Sequence, residues 1–186
     1  MKMLSAEKDW SDEISKIIQF QDESSFRLIF KHFYGALVSF ATSVTANNEL
    51  SEDLVSDLML KVWIQPENLK NVQNLKTFLY VSVKNRCLNE LERNKRHTNY
   101  LNNLQTYPLN SISPEDEYQV KELSHNIQHA IQQLSPKTKM VYILLRDNDC
   151  SYAEVAEILS ISPKTVDRHL QIALKKLRDS IKNYLL

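Results

Sequence analysis

The sequence predicts an all-α protein made of two small helical domains joined by a linker, and three observations predict it. Glycine occurs once, at Gly35, and the five prolines fall mostly where helices would start. Apolar residues recur at three- and four-residue intervals, with none of the sustained alternation a strand needs. Two periodic blocks flank residues 97–113, where no period survives, and 186 residues suffice for two small domains. The expected organisation is a first domain over 1–96, a linker over 97–113 and a second domain over 114–186.

In the first block, Trp10, Ile14, Ile17 and Ile18 predict a short amphipathic helix over roughly 10–20. Phe26, Ile29, Phe30, Phe33, Leu37, Phe40 and Ala41 predict a core helix over about 24–44, and packing alone accounts for its aromatic stripe. Ser51, followed by Glu52 and Asp53, offers an N-cap with acids in the first turn and predicts a helix to about residue 65. Leu54, Val55, Leu58, Met59 and Val62 share its inner arc, while Asp53, Asp57, Leu60 and Lys61 lie outside. Asp57 and Lys61 can pair at i,i+4 as an ordinary solvated face, whereas Leu60 among charges marks a candidate docking surface.

After Pro66 a loop is expected, then a long helix capped by Asn71 or Asn74 and reaching residue 93 or beyond. Leu79, Val83, Cys87 and Leu91 form its inner ridge. Its opposite side collects Phe78, Ser82, Asn85 and Asn89, with Arg86 and Arg93 near the edge. Amides can hydrogen-bond base edges, a ring can stack and guanidinium groups can meet phosphate, so this is either a nucleic-acid surface or an ordinary polar helix face.

In the second block, Ser113 and Pro114 with two following acids predict a helix to about residue 133, carrying Tyr118, Leu123, Ile127, Ala130 and Ile131. Ser135 and Pro136 repeat the start signal for a short buried helix with Met140, Val141, Ile143 and Leu144, ending near Arg146. Residues 147–150 form a turn in which Asn or Asp can take positive φ. Ser151 and Glu154 predict a capping box for a helix that buries Val155, Ile158 and Leu159. A tight turn at Ser160 and Ile161 leads to Ser162 and Pro163, which start the last helix. Val166, Leu170, Ala173, Leu174, Leu177 and Ile181 fill one arc of that helix, and Lys164, Arg168, Gln171, Lys175, Arg178 and Lys182 line the other, with no acid among them. A helix, a turn and a helix with a basic stripe present one helix to the major groove of DNA.

The formal net charge is zero, so the distribution carries the information. Five bases face two acids over 84–97, and six bases face Asp167 and Asp179 over 163–186, in a chain otherwise leaning acidic. Cys87 and Cys150 lack metal-ligand spacing and read as two reduced thiols. No apolar run approaches a membrane span, and the expected location is the cytoplasm. There is no clustered nucleophile and base and no phosphate loop, which argues against an enzyme. A stand-alone helix-turn-helix activator or repressor with a sensing or dimerising N-terminal domain is the competing reading, though such a domain has no need of the Phe78, Asn85 and Asn89 face.

These motifs resemble a known family. Ser51-Glu52-Asp53-Leu54-Val55-Ser56-Asp57-Leu58-Met59-Leu60-Lys61-Val62-Trp63 resembles region 2.2 of bacterial sigma factors. Thr77-Phe78-Leu79-Tyr80 through Asn85 and Arg96 resembles regions 2.3 and 2.4, and Leu134-Ser135-Pro136 through Leu177-Arg178 resembles region 4. The two-domain layout is similar to the extracytoplasmic-function group of the sigma-70 family. The resemblance implies that Asp53, Asp57 and Leu60 dock on the clamp coiled coil of the polymerase largest subunit. It implies that Phe78, Asn85, Arg86, Asn89 and Arg93 read and hold open a minus-10 element, where extruding a base costs a few kcal/mol. It assigns Lys164, Thr165, Arg168, Gln171 and Lys175 to the major groove of a minus-35 element. It further implies core RNA polymerase, promoter DNA and an anti-sigma factor, often membrane-bound, as partners, with no cofactor, catalytic residue, metal or small-molecule substrate. Phe78 stands where many relatives have tryptophan, and Ser160 where the turn usually carries glycine, which puts a non-glycine residue at positive φ at a cost of about 1 kcal/mol.

Overall fold

The computed structural model describes residues 9–98, 127 and 129–185. The chain divides into two compact units, Met1–Cys87 and Leu88–Leu186, and every regular element among the described residues is helical. Beyond Thr98 the expected linker lies outside the described residues, as do Ser113, Pro114, Tyr118 and Leu123.

In the first unit, α1 (Ser11–Phe20) buries Ile14 and Ile17, and Trp10 at its N-cap packs on His32 and Phe33 with ring centroids 4.9 and 5.3 Å apart. Gln21 adopts the left-handed conformation and stops α1. One residue later the Asp22 carboxylate accepts the Ser25 N–H at 2.8 Å and starts α2 (Glu23–Thr45). That cap holds the carboxyl of Asp22 below the usual range, through hydrogen bonds from Ser25 and Ser24. Along α2, Ile29, Phe33, Leu37, Phe40 and Ala41 are buried, as their spacing predicts. Each fully buried large apolar side chain contributes about 1.5–3 kcal/mol, which outweighs the roughly 1 kcal/mol that Gly35 costs in mid-helix. Phe26 and Phe30 sit at the margin of this core, where Phe26 meets Trp63 (5.0 Å) and Phe30 stacks on Tyr34 (4.6 Å).

Helix α3 (Asn48–Ile64) starts earlier than the sequence suggests. Ala46, left-handed at φ 57°, ends α2 and leaves Asn47 extended, so the Asn47 side chain accepts the Leu50 N–H at 3.0 Å and is the cap. Ser51, expected as the cap, is fully buried one turn inside, donating to the Asn47 carbonyl at 2.6 Å and lying 2.8 Å from Thr45 Oγ1. A 3₁₀ turn, Pro66–Leu69, replaces part of the expected loop and buries Leu69. Asn74, one of the two expected caps, accepts the Thr77 N–H at 2.9 Å and opens α4 (Leu75–Thr98). Leu79, Val83 and Cys87 are fully buried as the ridge predicts, Leu91 only half so, and Tyr80 joins them edge-on against Phe40.

In the second unit residues 129–132 are helical, followed by α5 (Pro136–Arg146), α6 (Tyr152–Leu159) and α7 (Pro163–Leu185), each of these three packing on the other two. Val141, Ile143 and Leu144 are buried as expected, Met140 is half-buried, and Thr138 and Tyr142 are buried without having been expected. Val155, Ile158 and Leu159 of α6 and Val166, Ala173 and Leu177 of α7 complete this core. Leu174, assigned to the buried arc by its period, is 40 % exposed. The arc that α5 and α6 cover is narrower than the apolar stripe, and Leu174 falls at its edge. Cys87 and Cys150 are buried, and neither is in a disulfide. Among the described residues, no helix is long and apolar enough to cross a membrane.

Candidate nucleic-acid interface

The turn preceding α7 is built by two local devices that the sequence foretells. Ser151 donates its N–H to Glu154 Oε2 (2.7 Å) while Glu154 donates its N–H to Ser151 Oγ (3.2 Å), a complete capping box at the start of α6. Ser160 ends α6 in the left-handed region, φ 52° and ψ 51°, with its N–H on the Glu157 carbonyl and the Ile161 N–H on the Ala156 carbonyl at 2.9 Å. Those two bonds answer carbonyls the helix end would otherwise leave open. Asp149 likewise takes positive φ, 46°, in the turn between α5 and α6. Ser162 Oγ accepts the Thr165 N–H at 3.1 Å and starts α7.

On α7, Lys164, Arg168, Gln171, Lys175 and Arg178 are all exposed, which makes the basic stripe real. The Lys182 side chain lies outside the described residues. Thr165 is half-buried, its hydroxyl 2.8 Å from Ser162 Oγ, so it belongs to the cap as much as to the stripe. Lys176, off the stripe, donates to the Gln133 carbonyl at 3.1 Å and ties α7 to the segment preceding α5. Arginine and glutamine at the exposed positions can address base edges in a major groove, and the lysines can address phosphate.

On α4 the structure exposes Asn85, Asn89 and Arg93 and leaves Phe78, Ser82 and Arg86 half-buried. The Arg93 guanidinium, itself exposed, sits 3.1 Å from the half-buried Glu90 in an i,i+3 pair. Leu88, 39 % exposed on α4, was not anticipated.

On α3, Asp53, Asp57 and Lys61 are exposed and Leu60 is 54 % exposed. The Asp57–Lys61 ion pair that the spacing allows is not formed among the described residues. Ile64, one turn beyond Leu60, is 60 % exposed and extends the apolar patch. Sequence reading missed it, although its i+4 relation to Leu60 was the available signal.

Comparison with known proteins locates two family models on the chain: sigma-70 region 2 over residues 29–97 and sigma-70, region 4 over 124–177. The chain is 23% identical over 152 residues to the ferric citrate uptake sigma factor FecI of Escherichia coli (strain K12), spanning 81% of this chain and 87% of that protein. Among solved structures, the fold is similar to the sigma factor RpoE in complex with the anti-sigma factor NepR from Bartonella quintana, with TM-score 0.66 and 21% identity over 84% of this chain and 96% of that one. It is also similar to CnrH in complex with the cytosolic domain of CnrY, with TM-score 0.62 and 16% identity over 94% and 95% of the two chains.

Proposed function

The chain belongs to the sigma-70 family, in its extracytoplasmic-function group, and we propose that it directs core RNA polymerase to promoters by recognising a minus-10 and a minus-35 element and assists DNA melting to initiate transcription. At the level of the family it is a factor for promoter-specific transcription initiation and not an enzyme. Residues 1–96 carry polymerase docking and minus-10 recognition, 97–113 link, and 114–186 carry minus-35 recognition. The observation that supports this best is the exposed amide face of α4, Asn85 and Asn89, in the same chain as the basic stripe of α7. Two weak grips on one DNA reinforce each other once polymerase fixes them, so neither needs high affinity alone.

In this reading Phe78, Asn85, Arg86, Asn89 and Arg93 capture and hold the opened minus-10 strand, and Lys164, Thr165, Arg168, Gln171 and Lys175 read the minus-35 groove. Asp53, Asp57 and Leu60, extended by Ile64, dock on polymerase. Two of the similar solved structures are complexes, one with an anti-sigma factor and one with a cytosolic domain, and an anti-sigma factor acting in the cytoplasm is the regulator proposed for this chain. The test is run-off transcription with core polymerase on a promoter selected from a randomised DNA pool. Asn85→Ala should impair opening, read as permanganate reactivity of unpaired thymines, while polymerase binding is kept. Loss of polymerase binding with opening intact would sink the assignment of this face.

A further inference from the structure

His169 lies on α7 directly after Arg168 and two residues before Gln171, yet it turns away from the stripe. Its Nδ1 is 2.9 Å from Thr138 Oγ1 on α5, across 31 residues of sequence, and Thr138 Oγ1 is 2.8 Å from Ser135 Oγ at the start of α5. Thr138 is 2 % exposed, so its hydroxyl has little access to water, and its hydrogen-bond partners are the imidazole on α7 and Ser135 Oγ of its own segment. Both helices bury apolar side chains, Val141 and Leu144 on α5 and Val166, Ala173 and Leu177 on α7, and apolar packing tolerates small rotations of a helix about its axis far better than a directional hydrogen bond does. Resting on the reading of α7 as the major-groove helix, we infer that His169 is a positioning residue: its hydrogen bond with Thr138 sets the rotation of α7 and so the direction in which Arg168 and Gln171 point.

The charges around the ring fit this role. Burial first, then Lys137 of α5 and Arg168 of α7 itself, pull the His169 pKa below the usual imidazole value. The shift favours the neutral ring, which has one bare nitrogen able to accept from the Thr138 hydroxyl. A bidentate contact between an arginine or glutamine and a base depends on side-chain direction, whereas a lysine contact to phosphate hardly does. Loss of the hydrogen bond should therefore lower discrimination between DNA sequences more than overall DNA affinity.

The test uses holoenzyme assembled from the full chain and core polymerase, with two duplex probes. One is a duplex selected by the wild-type holoenzyme from a randomised pool, and the other is the same duplex with its upstream element transversed. Thr138→Val and His169→Leu should each reduce the ratio of affinities for the two probes by about fivefold, with binding to the transversed probe unchanged. The double variant should be no worse than either single one, and His169→Asn, which keeps a hydrogen-bonding atom near the Nδ1 position, should restore most of the ratio. Circular dichroism and melting temperature identify a variant that has simply lost its fold; if Thr138→Val does so, the comparison of His169→Leu with His169→Asn decides. An undiminished ratio in His169→Leu, or an equal loss on both probes, overturns the inference. A wild-type ratio of one, or one unaffected by Arg168→Ala, instead overturns the reading of α7 on which it rests.

Discussion

Ser160→Gly should stabilise the second unit, and the reason can be followed atom by atom. Ser160 is held at φ 52°, ψ 51°, a conformation that costs a residue with a Cβ about 1–2 kcal/mol. Its contribution to the turn is made by backbone: its own N–H on the Glu157 carbonyl, and the neighbouring Ile161 N–H on that of Ala156. Its side chain is exposed, so truncation removes no packing. Against the strain relieved, glycine loosens the unfolded chain by about 0.4–1 kcal/mol, which leaves a net stabilisation of about 0.5–1 kcal/mol. Both tryptophans, Trp10 and Trp63, lie in the first unit, so tryptophan fluorescence is blind to this change and serves as an internal control. The assay is amide hydrogen exchange of α5–α7 in the intact chain, where protection should rise roughly two- to fivefold while the urea midpoint from tryptophan emission stays put. Ser160→Val should move protection the other way, because a β-branched residue is worse still at positive φ. Reduced protection in Ser160→Gly would show that the left-handed turn is not strained in the way argued.

Gly35 sits exposed in the middle of α2 with nothing within 4 Å of where a Cβ would be, so Gly35→Ala should raise the stability of the first unit by about 1 kcal/mol. A lower urea midpoint by tryptophan fluorescence would refute that. Burial pushes the Cys87 thiol up to about 11, so at pH 8 its alkylation should run orders of magnitude slower than that of a free thiol and recover in denaturant. Rapid labelling of Cys87 in the native chain would contradict its place in the α4 ridge. Ser151→Ala removes the hydroxyl half of the α6 capping box and should cost about 1 kcal/mol, seen as lower exchange protection in α6; equal protection would mean that the Glu154 side holds the turn alone. Arg168→Ala should weaken dependence on the upstream promoter element in transcription, and unchanged dependence would remove it from the contact set.

What the sequence determined by itself is most of what resolves within one or two helical turns. The capping box of Ser151 and Glu154, the Ser162 cap, the positive φ at Ser160 and the ridge of Leu79, Val83 and Cys87 are local and were legible, whereas the sequence narrowed the α4 cap only to Asn71 or Asn74 and the positive φ of the 147–150 turn only to an Asn or Asp, and the structure chose Asn74 and Asp149. The exposed faces of α3, α4 and α7 follow from the same periodicity, because a helix with a buried stripe must expose its opposite side. The tertiary structure decided what depends on which elements meet. Asn47 and Ser51 are both good caps, and the turn at Ala46 together with the contact to Thr45 settled that Ser51 goes inside. Tyr80 and Leu69 are buried by contacts to Phe40 and to the flanking helices, and Leu174 is left exposed because helix neighbours cover only part of an apolar stripe. The bond between Thr138 and His169 joins residues with no local relation, and no period announces a hydrogen bond between two helices until their packing has brought the partners together.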